Sequence, residues 1–229
     1  MGKPENEATA KESGSYFTMF LNRIGAVFLA PDATFSLIVS GKIGFWEPLA
    51  LILLLIGIEG AVLASFAVRV ISAVTNAIGP VTGITSVSFL AFIPSVLITV
   101  MIIGFLLVWI IVAGIAHLIA RYVFRGRGSY VQLLKLYGYA LVPYSLVILG
   151  TVIIGINWAT WPLAIFLNVV ATFWIILLMS VAVKHNYGID VGKAFISSFI
   201  GPMLAWLVVI GIFWLWLLVA IGSFAGGFV

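Results

Sequence analysis

The chain has 229 residues, of which 64% are hydrophobic and only 8% charged, and its mean hydropathy is +1.29. Soluble domains carry about a quarter charged residues, so these values exclude a soluble globular protein and leave one built in lipid. The absence of Cys removes disulfides, thiolate chemistry and Cys-ligated metals, and the formal charge of +4 matters more for its placement than for its size.

The first fifteen residues, MGKPENEATAKESGS, have the polar composition of a disordered tail. No signal peptide is read there, because the apolar patch that follows is interrupted by Asn22 and Arg23 and offers no small-residue cleavage site. The first span is therefore expected to direct insertion. Residues 16–229 read as a single membrane domain. Within it, residues 16–29 fit an amphipathic helix with Thr18, Asn22 and Gly25 as a narrow polar side.

About 20 apolar residues cross a bilayer as a helix, and five windows meet or approach that length, at about 48–70, 90–119, 141–157, 162–183 and 202–222. The third is short, and residues before Leu141 are available to lengthen it. Trp46, Trp158, Trp161, Trp214 and Trp216 suit the headgroup level, whereas Trp109 and Trp174 suit packing.

Lys and Arg near spanning segments are retained on the cytoplasmic side. Arg23 and Lys42 precede the first span, Arg121, Arg125, Arg127 and Lys135 lie between the second and third, and Lys184 and Lys193 lie between the fourth and fifth. The opposite connectors, 76–89 and 157–161, contain neither residue type, and Arg69 alone dissents. The expected topology has the amino terminus in the cytoplasm and the carboxyl terminus outside a prokaryotic cell membrane.

A pattern recurs on that inner face. Asp32, Ser129 and Asp190 each open a short amphipathic stretch that ends in Pro48, Pro143 and Pro202 respectively. Each opener is expected to cap a helix by accepting an unpaired backbone N–H. In the second stretch Ser129, Gln132 and Lys135 form one polar stripe, and in the third Asp190, Lys193 and Ser197 do the same. Each outward-running span is thus expected to follow a helix lying in the cytoplasmic headgroup layer.

Glu59 is the acidic residue near the middle of a span, where an ionisable group is costly and points to function. Gly57 and Gly60 beside it favour close approach of another helix. Asn168 and Thr172 match its depth and are its expected polar partners, either as interhelical glue or as part of a proton or ion relay. His117 and Arg121 share a helix face and suit either a phosphate or a snorkelling arrangement. His185 and Asp190 carry no metal-ligand spacing with His117, and no Walker loop, G-x-S-x-G or H-E-x-x-H is present. No catalytic residue, metal or cofactor is expected.

Pro31 and Phe35, then His117 and Arg121 closing a span, then Gly126, Ser129, Tyr137, Gly138, Tyr139 and Pro143 resemble the pattern of the Yip domain family, the Ypt- and Rab-interacting polytopic membrane proteins. The loop 186–194, with Gly188 and Lys193, resembles that family's inner loop before the last span. The resemblance covers about residues 28–221 and implies a non-enzymatic role in membrane organisation, eukaryotic relatives acting with small GTPases. The chain departs from some of those relatives in lacking an acidic Asp-Leu-Tyr-Gly-Pro motif, and its short polar tail is more similar to prokaryotic members.

The sequence therefore predicts an all-α polytopic bundle of five transmembrane helices with short cytoplasmic-side amphipathic helices. Its expected function is to organise or shape membrane, the alternative being a small transporter or channel component coupled through Glu59. Arg121, Arg125, Arg127, Lys135, Tyr137, Gly138, Tyr139 and Pro143 are the expected contacts to lipid headgroups or a partner. Expected partners are anionic lipids of the bilayer, with a second copy or a soluble protein at the cytoplasmic face as further options, and no nucleic acid.

Overall fold

A computed structural model describes residues 5–41, 43–82 and 92–226, and among them the regular elements are helices, with no strand. The expected tail residues 1–4, Lys42, connector residues 83–89 and the side chain of Trp216 lie outside the described residues.

The chain begins with α1 (Glu5–Leu29), so residues 5–15, expected to be disordered, start a helix. Their Glu, Ala and Lys are strong helix formers. Next comes α2 (Pro31–Ser40), where Pro31 takes the first helical position and Ala30 is the N-cap. Asp32, expected to be that cap, sits inside the first turn and is free to look outward.

The bundle follows as α3 (Trp46–Thr82), α4 (Ile93–Leu118) with a π turn at Ile119–Val123, α5 (Tyr130–Ala140), α6 (Tyr144–Ile156), α7 (Trp161–Tyr187), α8 (Val191–Phe195) with a second π turn at Ile196–Ile200, and α9 (Gly201–Gly226). Five stretches are long and apolar enough to cross a membrane: Trp46–Ala77, Pro94–Val123, Tyr130–Ile156, Trp158–Tyr187 and Val191–Ile212. Along α4, Val96, Val100, Ile103, Leu107 and Ile111 are exposed at steps of three and four residues. Such a stripe belongs against lipid, since water would not tolerate so continuous an apolar surface.

The third stretch overturns one expectation. Pro143 ends the regular ladder by removing a backbone N–H, yet three-residue bonds from Val142 to Tyr139, Tyr144 to Leu141 and Ser145 to Val142 carry the chain through the bend at 2.9–3.2 Å. Helices α5 and α6 are thus one kinked rod, and α5 is the first part of a stretch long and apolar enough to cross a membrane rather than a separate surface helix ahead of it. It packs against α3, α4 and α7, and its Leu133, Leu136, Tyr137 and Tyr139 are fully buried. Close approach to α3 is possible because Gly138 has no side chain: a Cβ there would lie 2.6 Å from Pro48 Cβ. Likewise α8 runs on through the second π turn into the fifth stretch. Helices α1 and α2 remain outside the five stretches, with Phe20, Ile24, Val27 and Phe35 turned to the core.

Candidate functional site

Most of the polar chemistry gathers at one end of the bundle, where α4 and α7 finish, α5 and α8 begin, and the α1–α2 hairpin docks. Backbone carbonyls left by helix ends and loops take donors from side chains or water, and here side chains of the chain supply several. The polar stripe of α5 supplies two. Gln132 Nε2 donates to Ile38 O at 3.2 Å, and Lys135 Nζ donates to Ile43 O at 2.7 Å. Arg121 donates to Gly128 O at 3.0 Å, and Asn186 Nδ2 to Ser129 O at 2.8 Å. As expected, Ser129 and Asp190 cap α5 and α8, accepting from Gln132 N and Lys193 N.

Two ionic links fasten the hairpin. Asp32 Oδ1 meets Lys184 Nζ at 2.6 Å and His185 Nε2 at 2.9 Å, joining α2 to the end of α7. These bonds, led by that of Lys184, hold the Asp32 carboxyl below its ordinary range. Arg23 of α1 meets Glu47 at 2.8 Å, and Tyr139 of α5 donates to the same carboxylate at 2.5 Å.

Beside these links lies an open cleft of about 580 Å³, walled by loop 124–127 on one side and the end of α7, loop 188–190 and Lys193 on the other. Gly188, at φ 65, lets the chain leave α7 in the left-handed conformation that closes a helix, its N–H bonding Lys184 O at 2.9 Å. Arg125 adopts φ 57 without being glycine, a conformation costing an L residue about 1–2 kcal/mol. Beneath it Gly126 and Gly128 press against Tyr187, whose hydroxyl shares a hydrogen bond with His117 Nδ1. The backbone bond from Lys193 is the main reason that the Asp190 carboxyl at the cleft edge is held below its ordinary range.

The expected contact residues therefore separate. Arg125 and Arg127 are exposed on the cleft wall. Arg121 and Lys135 are committed to backbone carbonyls, and Tyr137, Gly138, Tyr139 and Pro143 are buried inside the chain, where no headgroup or partner reaches them. The pattern of Gly, Tyr and Pro in this segment reflects close packing of α5.

Within the bundle Glu59 is 4% exposed and accepts from Thr151 Oγ1 at 2.9 Å. Asn168 and Thr172, expected as its partners, bond to carbonyls of their own helix, Ala164 O and Asn168 O. Thr151 escaped the sequence because the register of α6 against α3 is a tertiary property. A Cβ on Gly60 would lie 3.4 Å from Ile98, in contact with α4, whereas Gly57 faces nothing within 4 Å. Arg69, in the second half of α3, donates to Gly155 O at 3.2 Å, supplying the end of α6 with a donor. Its place away from the other cations has this structural cause.

The Yip1 domain matches residues 25–213 of the chain. No curated protein and no solved structure matches it.

Proposed function

The chain belongs to the Yip1 domain family, and from that premise we propose that it is a non-catalytic integral membrane protein that organises or shapes the bilayer through its basic face. The observation that carries this reading is the α1–α2 hairpin, which is outside the five spanning stretches yet exposes Phe17 at 60%, Leu29 at 89% and Leu37 at 70%. Fully burying one such side chain is worth roughly 1.5–3 kcal/mol, so the hairpin gains more in the headgroup layer than in water. Asp32 and Glu47 fix it to the bundle, and a wedge so anchored passes its displacement of lipid to the whole protein. The neighbouring Arg125, Arg127 and Lys193 favour anionic lipid, and by the retention of basic segments inside the cell this face is cytoplasmic.

The test is reconstitution of the full chain into phosphatidylglycerol-containing and purely phosphatidylcholine vesicles, imaged by electron cryomicroscopy. Deformation of the anionic vesicles that weakens in Phe17→Glu/Leu29→Glu is expected. The reading falls if the wild type leaves vesicle shape unchanged and shows no preference for the anionic lipid.

A second reading, a small transporter or channel component, draws on Glu59, whose Oε2 is buried with no hydrogen-bond partner among the described residues. It requires an ion or proton flux in vesicles that disappears in Glu59→Gln.

A further inference from the structure

Loop 124–127 is pinned at two points: Gly126 N–H bonds Ala120 O at 2.9 Å, and Arg127 N–H bonds Tyr187 O at 3.2 Å. The N–H groups of Gly126 and Arg127 are thereby spent, and the charged side chains that the loop offers to the cleft are a pair of guanidinium groups. Among the described residues no acidic side chain forms an ion pair with Arg125 or Arg127. Across the cleft Asp190 Oδ2 lies 3.1 Å from Lys193 Nζ. His185 is turned to Asp32 and Asn186 to Ser129 O, so neither adds a free group. Three cations thus face one carboxylate in the same cleft, which leaves an excess of two positive charges.

We propose that this cleft binds a phosphate monoester group as its dianion, held by Arg125 and Arg127 with Lys193 completing the charge. A dianion balances the excess, whereas a diester headgroup carries only one negative charge. Guanidinium groups also suit phosphate, since their fixed forks meet two oxygens at once. The strained backbone at Arg125 fits this role: glycine would relieve it, but would remove a guanidinium from the wall. The inference rests on the membrane-organising reading only for placing the cleft among lipid headgroups, because a free phosphate would use the same side chains.

The full chain in detergent is offered phosphatidic acid, phosphatidylglycerol and phosphatidylcholine, with bound lipid read by native mass spectrometry, and inorganic phosphate is titrated separately by calorimetry. Phosphatidic acid is expected to be retained over phosphatidylglycerol, and Arg125→Gly and Arg127→Gln each to lower that retention by about tenfold or more. Arg125→Gly should at the same time keep or raise the thermal stability, a combination that a merely structural arginine would not produce. Phosphate binding with the same dependence on the two variants, without a lipid preference, would assign the cleft to a free anion. Equal retention of the two anionic lipids together with no phosphate binding, or binding that neither variant changes, overturns the proposal. A wild type that prefers phosphatidic acid but does not deform vesicles keeps the cleft and removes the shaping role; the reverse result does the opposite.

Discussion

Tyr139 on α5 donates its hydroxyl to Glu47 on α3 at 2.5 Å, and the same carboxylate meets Arg23 of α1 at 2.8 Å. One buried acid thus joins three helices, two of the bundle and one of the docked hairpin. Removing one partner of a buried ion pair leaves the other charge uncompensated, at a cost of about 3–5 kcal/mol. Removing only a hydrogen bond to a charged group costs about 1.5–3 kcal/mol.

Glu47→Ala is therefore expected to destabilise the protein more than Tyr139→Phe. Thermal unfolding in detergent gives the ranking, and proteolytic release of α1 reports which contact is lost. If Tyr139→Phe were the more damaging, the hydroxyl would be doing more than bonding Glu47, and the shared carboxylate would not be the joint.

The docking of α2 should resist acid. Asp32 is held below its ordinary value of 3.8, first by the bond from Lys184 and then by that from His185. A depressed folded value means that the stabilisation is complete above the unfolded value and is lost as pH falls through the lower folded one. Distances between spin labels on α2 and α7 should hold from neutral pH to about 4 and lengthen only in stronger acid. In Asp32→Asn they should be longer at neutral pH and lack that acid step; an identical step in the variant would assign it to another group.

Glu59 and Thr151 make a different kind of link, between spans in lipid. Interhelical polar contacts there average about 0.6 kcal/mol and reach about 1.7. Thr151→Val should cost an amount in that range, whereas in Glu59→Ala, which removes the acceptor, the same substitution should cost close to nothing. Chemical unfolding of the four variants in one detergent supplies the cycle. A coupling near zero in the wild type would reduce the contact to mere proximity.

These links show where the sequence was legible. The spans could be read because crossing lipid demands a long apolar run whatever the tertiary fold, and the caps at Ser129 and Asp190 could be read because a cap acts within three residues of itself. Amphipathicity misled at α5. Its polar stripe fits a helix facing headgroups, but Gln132 and Lys135 face the carbonyls of Ile38 and Ile43, and periodicity does not distinguish a polar side that meets water from one that meets backbone. Asp32, Tyr187 and Thr151 find partners more than 60 residues away in sequence or on helices whose register nothing local sets. Their pairing was invisible for that reason.

Gly138 and Gly57 allow the packing account to be tested with one chemical change. A methyl added at Gly138 would lie 2.6 Å from Pro48 Cβ and would press on backbone of α3 as well, with Pro48 O at 3.2 Å. Neither neighbour is the end of a flexible side chain, so α5 and α3 must separate, and overpacking of this kind costs about 1–3 kcal/mol. The same methyl at Gly57 meets nothing within 4 Å, and in a helix interior Ala is more favourable than Gly by roughly 0.5–1 kcal/mol. Gly138→Ala should therefore lower the unfolding temperature and Gly57→Ala should hold or raise it. The Tyr139–Glu47 contact, one residue beyond the clash, should loosen with the former, so the double variant Gly138→Ala/Tyr139→Phe is expected to lose less than the sum of its parts. Additive losses would mean that α5 accommodates the methyl without moving, and that the close approach of Gly138 to Pro48 does not set the position of the buried acid.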